Sequence, residues 1–564
     1  MATTIFRISS IAKAVTLVVL AGSLSLASSQ AEARRGSDDR RGSPVKSDEE
    51  RVAALVEFGK ELFFTPISRP KQKQSCASCH DPATGWTGAS SNINLVEVAQ
   101  PGANIHRDPD ARGQLKPPTN AYATFIPPFA LSVNNPFVPA FGGAFWNGRA
   151  EGRDPLYPGG ATEHISINDV VKSSDSSSFR AAITRFLGPV AEQALNPFPN
   201  PVEQHITEEG VCKQLKKIGR FGSLYQVTWG ERIACDRDNL SRSFKRFGVA
   251  LAAYQDSPEV NSFSSKRDNA LRAELACLTE GDIKALPWAQ NLTDAEFDDI
   301  ASRFGLVSDQ PSMCEADNSP GAFPLAGLTP EENWGHDLFY AAAILFNPAQ
   351  PKPIQVGDIA TCDADGNFFP EGVALTEERM GAGCVLCHSN NATDNGTEPL
   401  QTYADHGYHN IGSPVNYDIP GVTASDDGLA DHTGDSNHAG LVKTPSIRNV
   451  DLRPTPDFIK AYTRNGWFKS LESLVHFYNT SLVDPSDFIA GPPPVLKHDV
   501  QRCMNGETTE QEALANNCWP APGHEAGASF TFGLTGNLGL SACDEAAIVS
   551  YLKTFSDEAA VDLP

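Results

Sequence analysis

Apolar positions recur at helical spacing near the start of the chain. Val52, Leu55, Val56, Leu62 and Phe63 fall on one face of the segment 52–63, which predicts an amphipathic helix. Regular alternation of apolar and polar residues, the pattern of a half-buried strand, is scarce along the rest of the chain. The pattern therefore predicts a mainly α fold with long loops.

Two further helices are indicated by their start signals and their periodicity. "TPEE" supplies Thr329 as N-cap, Pro330 at the first helical position and Glu332 for a capping box. Near the C-terminus, "SACDEAAIVSYLKTF" predicts a helix with three apolar residues on one face: Ile548, Leu552 and Phe555.

The N-terminal residues predict a processed leader. Arg7 and Lys13 precede a short apolar run, and "AEA" at 31–33 offers small residues for cleavage, so residues 1–33 are interpreted as a signal peptide. The alternative is a retained N-terminal anchor. Residues 34–50, charged and small, are predicted to be a disordered leader.

The net charge of −24 argues against nucleic acid or an anionic membrane as partner. A basic protein partner is favoured mildly, and acidity that serves only solubility is an equal alternative.

The twelve cysteines divide into four in two CxxCH motifs and eight others. An even number of spare cysteines in an exported chain indicates disulfides. Proximity along the sequence favours Cys212–Cys235, Cys277–Cys314 and Cys503–Cys518, and leaves Cys362 and Cys543. Many other connectivities are arithmetically allowed.

The two CxxCH motifs predict covalent haem. Cys76, Cys79 and His80 form the first motif, and Cys384, Cys387 and His388 form the second. At this spacing two thiols add to the haem vinyl groups and the adjacent histidine is delivered to the iron. A structural zinc site is the alternative, and it would need two further ligands for each cysteine pair.

The motifs belong to an internal repeat. "GKELFF" (Gly59) precedes the first motif and "GHDLFY" (Gly335) precedes the second. We therefore predict two cytochrome c-like halves, 51–310 and 311–564. The second half has about 32 residues more between its glycine and its motif. This insert is predicted to be a surface excursion, held by a disulfide of Cys362.

The sixth iron ligand distinguishes a closed electron carrier from an enzyme with an open distal position. None of Met313, Met380 and Met504 is placed like an axial ligand. In "SLESLVHFYNT", Ser470 is a predicted N-cap and four residues share one face: Leu471, Leu474, Val475 and Tyr478. On this pattern alone, Tyr478 is more often a core tyrosine than a ligand.

Several segments resemble the bacterial di-haem cytochrome c peroxidases and their MauG-like relatives. These are "FGKELFFTPISRPKQKQSCASCHDPATGWT", "FWNGRA" at 145–150, "QALNPFPNPVE" at 193–203, and then "YHNIGSPV", "KTPSIRNV" and "LESLVHFYN". They follow the family's order from about residue 52 to 557. The resemblance implies two haem domains with long loops and inserts.

The resemblance also implies roles for individual residues. The haem on His80 would be peroxidatic, with Glu203 as the distal glutamate that moves protons and Gln193 as a distal glutamine. Trp146 would lie between the haems as an electron relay. The haem on His388 would transfer electrons, with Tyr478 as sixth ligand, a position that is methionine in the peroxidases and tyrosine in the MauG-like branch.

Some positions depart from the family pattern. Arg464 stands where the family has histidine. Tyr122 stands where an asparagine contributes to a calcium site between the domains, so the sequence disfavours calcium as a third cofactor. His106 lies in the loop where family peroxidases keep a histidine that caps the first haem. The loop has diverged, which favours a surface histidine over an iron ligand.

The resemblance implies an exported, periplasmic enzyme that reduces hydrogen peroxide with electrons from a small cytochrome c or a cupredoxin. The alternative is a MauG-like oxidase that uses high-valent haem iron on a protein or organic substrate, which Tyr478 favours. A pure electron-transfer cytochrome is the third hypothesis. Glu203 and Gln193 argue against it, because a carrier needs no distal acid.

Overall fold

A computed structural model describes residues 46–68, 74–132, 138–157, 163–316, 320–341, 353–390, 395–485, 494–524 and 535–558. The predicted signal peptide (1–33) and residues 34–45 of the predicted leader lie outside this part of the chain. Within it, no helix combines the length and the apolar character that a membrane span requires.

The described residues are rich in helix. Those of the first half are α1 (Asp48–Phe64), α2 (Ser91–Val96), α3 (Ile167–Val170), α4 (Ser177–Thr184), α5 (Pro189–Gln193), α6 (Glu208–Lys217), α7 (Gly219–Trp229), α8 (Leu240–Gln255), α9 (Lys266–Leu275), α10 (Glu280–Lys284) and α11 (Asp294–Phe304). Those of the second half are α12 (Pro330–Tyr340), α13 (Ala430–Thr433), α14 (Leu471–Thr480), α15 (Glu510–Ala515) and α16 (Ala542–Lys553).

The strands are short and pair two by two. They are β1 (Ala130–Leu131) with β2 (Ala140–Phe141), β3 (Ile359–Cys362) with β4 (Phe368–Ala374), β5 (Tyr408–His409) with β6 (Val442–Lys443), and β7 (Gln501–Arg502) with β8 (Cys518–Trp519). The first three pairs are antiparallel and the last is parallel. The mainly helical fold expected from the sequence is confirmed.

The predicted leader is wrong at its C-terminal end, because α1 begins at Asp48. Ser47 caps this helix: its side chain accepts a hydrogen bond from the Glu50 amide, and the Glu50 carboxylate accepts one from the Ser47 amide. The run of Asp and Glu that suggested disorder is instead the acidic first turn, where negative charge is favourable.

Helices α1 and α8 cross at Gly59. A Cβ on Gly59 would collide with the carbonyl oxygen of Ala250 and lie 2.9 Å from the Cβ of Tyr254. Four residues further along α1, the ring of Phe63 packs on Tyr254 with centroids 5.6 Å apart. Glycine thus permits a backbone approach that no other residue would allow.

Helices α12 and α16 repeat this crossing in the second half. A Cβ on Gly335 would collide with the carbonyl oxygen of Ala547 and lie 2.8 Å from the Cβ of Tyr551. Phe339 packs on Tyr551 with centroids 5.7 Å apart. The start of α12 has the predicted cap at Thr329, with the capping box completed by Glu332. The internal repeat read from the sequence is therefore a repeated helix pair.

All eight spare cysteines form disulfides, which are Cys212–Cys235, Cys277–Cys314, Cys362–Cys543 and Cys503–Cys518. The three predicted pairings are confirmed. Cys362 lies at the end of β3, so its bond ties the largely exposed β3–β4 hairpin of the insert to α16.

One hydrophobic core runs through both predicted halves and includes residues of α1, α8, α12 and α16. Buried polar groups also join the halves: the Tyr122 hydroxyl donates a hydrogen bond to Asp557 over 2.6 Å, and Arg448 pairs with Asp268. The division into domains near residue 310 stays a prediction.

Candidate functional site

The first CxxCH motif folds as a tight turn after α1. The amides of Cys79 and His80 both donate to the carbonyl oxygen of Cys76, over 3.1 and 3.0 Å. The imidazole Nδ1 of His80 lies 3.2 Å from the carbonyl oxygen of Trp86. A hydrogen bond there places the proton on Nδ1 and leaves Nε2 as the nitrogen available to a metal.

The second motif has the same local structure. The amides of Cys387 and His388 donate to the carbonyl oxygen of Cys384, over 3.2 and 2.9 Å. His388 Nδ1 lies 3.1 Å from the carbonyl oxygen of Tyr403. Burial lowers the pKa of both histidines, to about 4 for His80. Each imidazole is therefore neutral near pH 7, as a metal ligand must be.

A cavity of about 40 Å³ adjoins the first motif, and Gln193 and Glu203 line it together with Cys76, Cys79 and His80. Gln193 is the last residue of α5, and Glu203 lies in the loop before α6. The fold thus brings two sequence-predicted residues, ten apart in the chain, to the same small space as the motif.

The carboxyl group of Glu203 lies in a desolvated environment. Burial raises its pKa, while a hydrogen bond from Asn200 and the charge of Arg149 act in the opposite direction. Asn200 Nδ2 donates to Glu203 Oε1 over 2.5 Å. This hydrogen bond engages Oε1 and leaves Oε2 without a side-chain donor among the described residues.

A larger cavity of about 240 Å³ adjoins the second motif. Helix α14 begins after the predicted cap Ser470 and presents Leu471, Leu474, Val475 and Tyr478 to this cavity. The helical face expected from the sequence is confirmed. His476 points elsewhere and pairs with Glu545. Tyr478 thus shares a cavity with Cys384, Cys387 and His388, and burial raises its pKa above the usual range.

Trp146 lines the second cavity and is nearly buried. Its indole nitrogen donates to the carbonyl oxygen of Lys116 over 2.8 Å, and its own carbonyl accepts from the Lys443 amide over 3.1 Å. It does not line the first cavity. A position between two haems stays a prediction.

The three positions that depart from the family pattern have separate surroundings. His106 is exposed and does not line the first cavity. Arg464 lines the second cavity, and its Nε donates to Asp426 over 2.7 Å. Tyr122 is buried, and its hydroxyl bonds to Asp557. The absence of a calcium site here, which the sequence favours because of Tyr122, stays a prediction.

The side chains around both motifs fit covalently held haem. Eight cysteines are oxidised, whereas Cys76, Cys79, Cys384 and Cys387 keep free thiols, each pair beside a histidine with an available Nε2. The second cavity adds apolar walls suited to a porphyrin. Among the described residues, three metal-binding side chains come within reach of one ion only at Cys387, Asp405 and His409. A structural zinc site needs four ligands.

Sequence comparisons agree with the interpretation of the CxxCH motifs as haem sites. The sequence model of the di-haem cytochrome c peroxidase family matches residues 53–276. The methylamine utilization protein MauG of Paracoccus denitrificans (strain Pd 1222) is 24% identical over 434 residues, which cover 76% of this chain and 74% of that protein. The cytochrome-c peroxidase IdrP2 of Denitromonas iodatirespirans is 37% identical over 81 residues, or 14% of this chain and 20% of that one.

A solved structure shares the fold. The diheme peroxidase BthA from Burkholderia thailandensis E264 superposes with a TM-score of 0.50 at 20% identity, over 90% of this chain and 87% of that one. The sequence similarities are thus to the di-haem cytochrome c peroxidases and their MauG-like relatives, over residues 53–276 for the family model and over 76% of the chain for MauG. The similarity to this family, whose members use two haems, supports an oxidoreductase.

Sequence reasoning missed the groups that orient and surround the predicted residues. Asn200 lies within the segment "NPFPNPVE", so its contact with Glu203 could have been considered from the sequence. The carbonyl oxygens of Trp86 and Tyr403, which orient the two histidines, have no sequence signal. The buried lysines of the second cavity, Lys116 and Lys443, also had none.

Proposed function

We propose that the chain is a di-haem peroxidase that reduces hydrogen peroxide to water in the first cavity. The observation that carries this proposal is a desolvated carboxyl group, Glu203, in the same cavity as Cys76, Cys79 and His80. An electron carrier has no use for an acid–base group at this place, whereas peroxide cleavage requires one.

Cys76 and Cys79 would hold the haem and His80 would ligate its iron, which would supply the site for peroxide binding and the electrons for its reduction. Glu203 Oε2 takes the proton from the nearer peroxide oxygen and returns it to the farther one, which leaves as water. Gln193 donates hydrogen bonds that orient the peroxide. The overall reaction consumes two electrons and two protons per peroxide and yields two waters.

Burial raises the pKa of Glu203, which suits the transfer of a proton between the two peroxide oxygens. A carboxyl group with an ordinary pKa would hold its proton too weakly to return it near neutral pH. The hydrogen bond from Asn200 to Oε1 fixes the group and prevents its rotation away from the cavity. The hydrogen bond from Asn200 and the charge of Arg149 limit this rise in pKa.

The second haem would be held by Cys384 and Cys387, with His388 and Tyr478 as iron ligands. It would receive electrons from a small cytochrome c or a cupredoxin, and Trp146 would pass them on to the first cavity. Export to the periplasm fits the N-terminal sequence and the four disulfides, which persist in oxidising compartments.

A MauG-like oxidase is the second candidate, and the tyrosine in the second cavity favours it. Tyrosinate is an anionic donor and stabilises oxidised iron better than the thioether of methionine. In this reaction the two electrons that peroxide gains come from a protein or organic substrate instead of a small redox protein.

Stopped-flow spectroscopy of the haem-loaded protein with hydrogen peroxide tests the proposal, with and without reduced small cytochrome c. Rapid, catalytic oxidation of the cytochrome is the result expected for a peroxidase. A protein that reacts with peroxide but barely oxidises the cytochrome would favour the oxidase. A protein that does not react with peroxide at all would contradict both.

A further inference from the structure

The second cavity is lined by cations and by no carboxylate. Neither aspartate nor glutamate is among its lining residues. Five lysine and arginine side chains line it, which are Lys116, Lys443, Arg448, Lys460 and Arg464. Buried cations without a counter-ion are costly. Each of them therefore needs either partners within the protein or an anionic ligand in the cavity.

Three of the five cations are satisfied by the protein itself. Arg448 pairs with Asp268 and Asp557, and Arg464 pairs with Asp426. The Lys460 ammonium donates to three carbonyl oxygens, those of Thr84, Asn449 and Leu452, over 2.8, 3.1 and 2.7 Å. These groups are therefore accounted for by the fold.

The other two lysines have neither a carboxylate partner nor the three carbonyl acceptors of Lys460 among the described residues. Lys443 Nζ donates one hydrogen bond, to the Gly143 carbonyl over 2.9 Å, and the Lys116 ammonium makes none to any residue that the structure describes. Burial lowers the pKa of Lys116 to about 8 and that of Lys443 to about 7. An anion beside either ammonium would reverse this shift.

Both lysines are held next to Trp146 by backbone hydrogen bonds. The Trp146 indole donates to the Lys116 carbonyl, and the Lys443 amide donates to the Trp146 carbonyl. The backbones of both lysines therefore lie beside Trp146, and the side chains of all three residues line the cavity. The side formed by Leu471, Leu474 and Val475 of α14 is apolar.

We propose that Lys116 and Lys443 bind the two propionate carboxylates of the haem attached at Cys384 and Cys387. A porphyrin with two carboxylates matches a cavity with apolar walls and two lysines beside Trp146 that lack an acidic partner. The inference rests on the proposed second haem. It assigns Lys116 and Lys443 as positioning residues that set the orientation and the reduction potential of this haem, with its carboxylate edge at Trp146.

The test is spectroelectrochemistry of the haem-loaded Lys116→Met and Lys443→Met variants, with haem attachment counted by mass spectrometry. Each removed positive charge stabilises the ferric state, so the equilibrium constant for reduction of the second haem should fall roughly tenfold. The propionate left without its lysine then titrates near neutral pH, and the potential should become pH-dependent between about pH 6 and 8.

Two controls separate charge from structure. Lys116→Arg and Lys443→Arg keep the cation and should restore the potential and its flat pH profile. Lys245→Met removes a lysine whose side chain is 9% exposed and which pairs with Glu163 and Asp169 outside the cavity, and it should leave both unchanged.

Unchanged potentials and pH profiles in both methionine variants, with two haems attached, would overturn the lysine assignment alone. If a methionine variant fails to attach the second haem, attachment in the matching arginine variant supports the assignment, and failure in both contradicts it. A wild-type chain without haem at Cys384 and Cys387 would overturn the proposed function together with this inference.

Discussion

The two cavities have the same scaffold and opposite electrostatics. In each, a glycine lets two helices cross closely, a phenylalanine four residues later packs on a tyrosine, and a CxxCH turn follows in the chain. The carbonyls that orient His80 and His388 belong to Trp86 and Tyr403. Both residues have a left-handed backbone, with φ of 61° and 55°.

The polar groups of the two cavities differ. The first is about 40 Å³ and is lined by Glu203 and four glutamines, with no lysine or arginine among its lining residues. The second is about 240 Å³ and is lined by five cations and no carboxylate. The repeated scaffold thus places His80 and His388 in equivalent positions. The residues around it give the first cavity an acid–base group and the second cavity its cations.

The largest effect is expected from Glu203→Gln. Loss of the group that exchanges the proton should slow the reaction with hydrogen peroxide by about 100-fold or more, as measured by stopped-flow absorbance. Glu208 lies in the exposed first turn of α6 and does not line the cavity, so Glu208→Gln is the matched control. A near-normal rate in Glu203→Gln would contradict the proposed acid–base role of Glu203 in the first cavity.

The shared scaffold can be tested by Gly59→Ala and Gly335→Ala. Each methyl group would collide with backbone of the partner helix, so each variant should lose about 2 kcal/mol of unfolding free energy, measured by chemical denaturation of the haem-loaded protein. Gly222→Ala is the control, because a Cβ there meets nothing within 4 Å. It should gain about 0.5–1 kcal/mol through better helix propensity. Equal stability in all three would contradict the close approach at the crossings, and unequal losses in Gly59→Ala and Gly335→Ala would contradict their equivalence.

The pH dependence of the peroxide reaction should follow Glu203. Its pKa lies above the usual 4.5 because of burial, and the protonated acid cannot accept a proton from peroxide. The rate should therefore fall as the pH drops through this raised pKa, by about tenfold per unit below it. Rates from pH 4 to 8 in wild type and Glu203→Gln check this. The rate of Glu203→Gln should not change with pH. The same pH dependence in wild type and variant would contradict the assignment to Glu203.

A smaller, local effect is expected from Tyr478→Phe. Haem should stay attached at Cys384 and Cys387, while the absorption bands and the potential of the second haem shift because its sixth ligand is lost. Tyr462 also lines this cavity, but its hydroxyl accepts a hydrogen bond from Arg453 over 3.2 Å. Tyr462→Phe should leave the bands unchanged. An unchanged spectrum in Tyr478→Phe would exclude Tyr478 as the sixth ligand of the iron.

Local patterns predicted much of the scaffold. The capping signal at Thr329, the apolar face of α14 and three of the disulfides depend on neighbours close in sequence, and all are present in the structure. The leader prediction failed at Asp48 for a related reason. The same acidic residues suit a disordered segment and the first turn of a helix, and only the hydrogen bonds of Ser47 and Glu50 decide between them.

The sequence by itself determined the positions of both CxxCH motifs and the repeat that holds them, because thiol spacing and helical periodicity are local properties. The tertiary structure decided what surrounds each motif. Glu203 and Asn200 lie on a loop at the first cavity, whereas Tyr478 lies on α14 and Lys443 on β6 at the second. The positions of these segments depend on long-range packing. A buried lysine has the same sequence signature as a surface lysine, so the charge of the second cavity became visible only when the chain was folded around it.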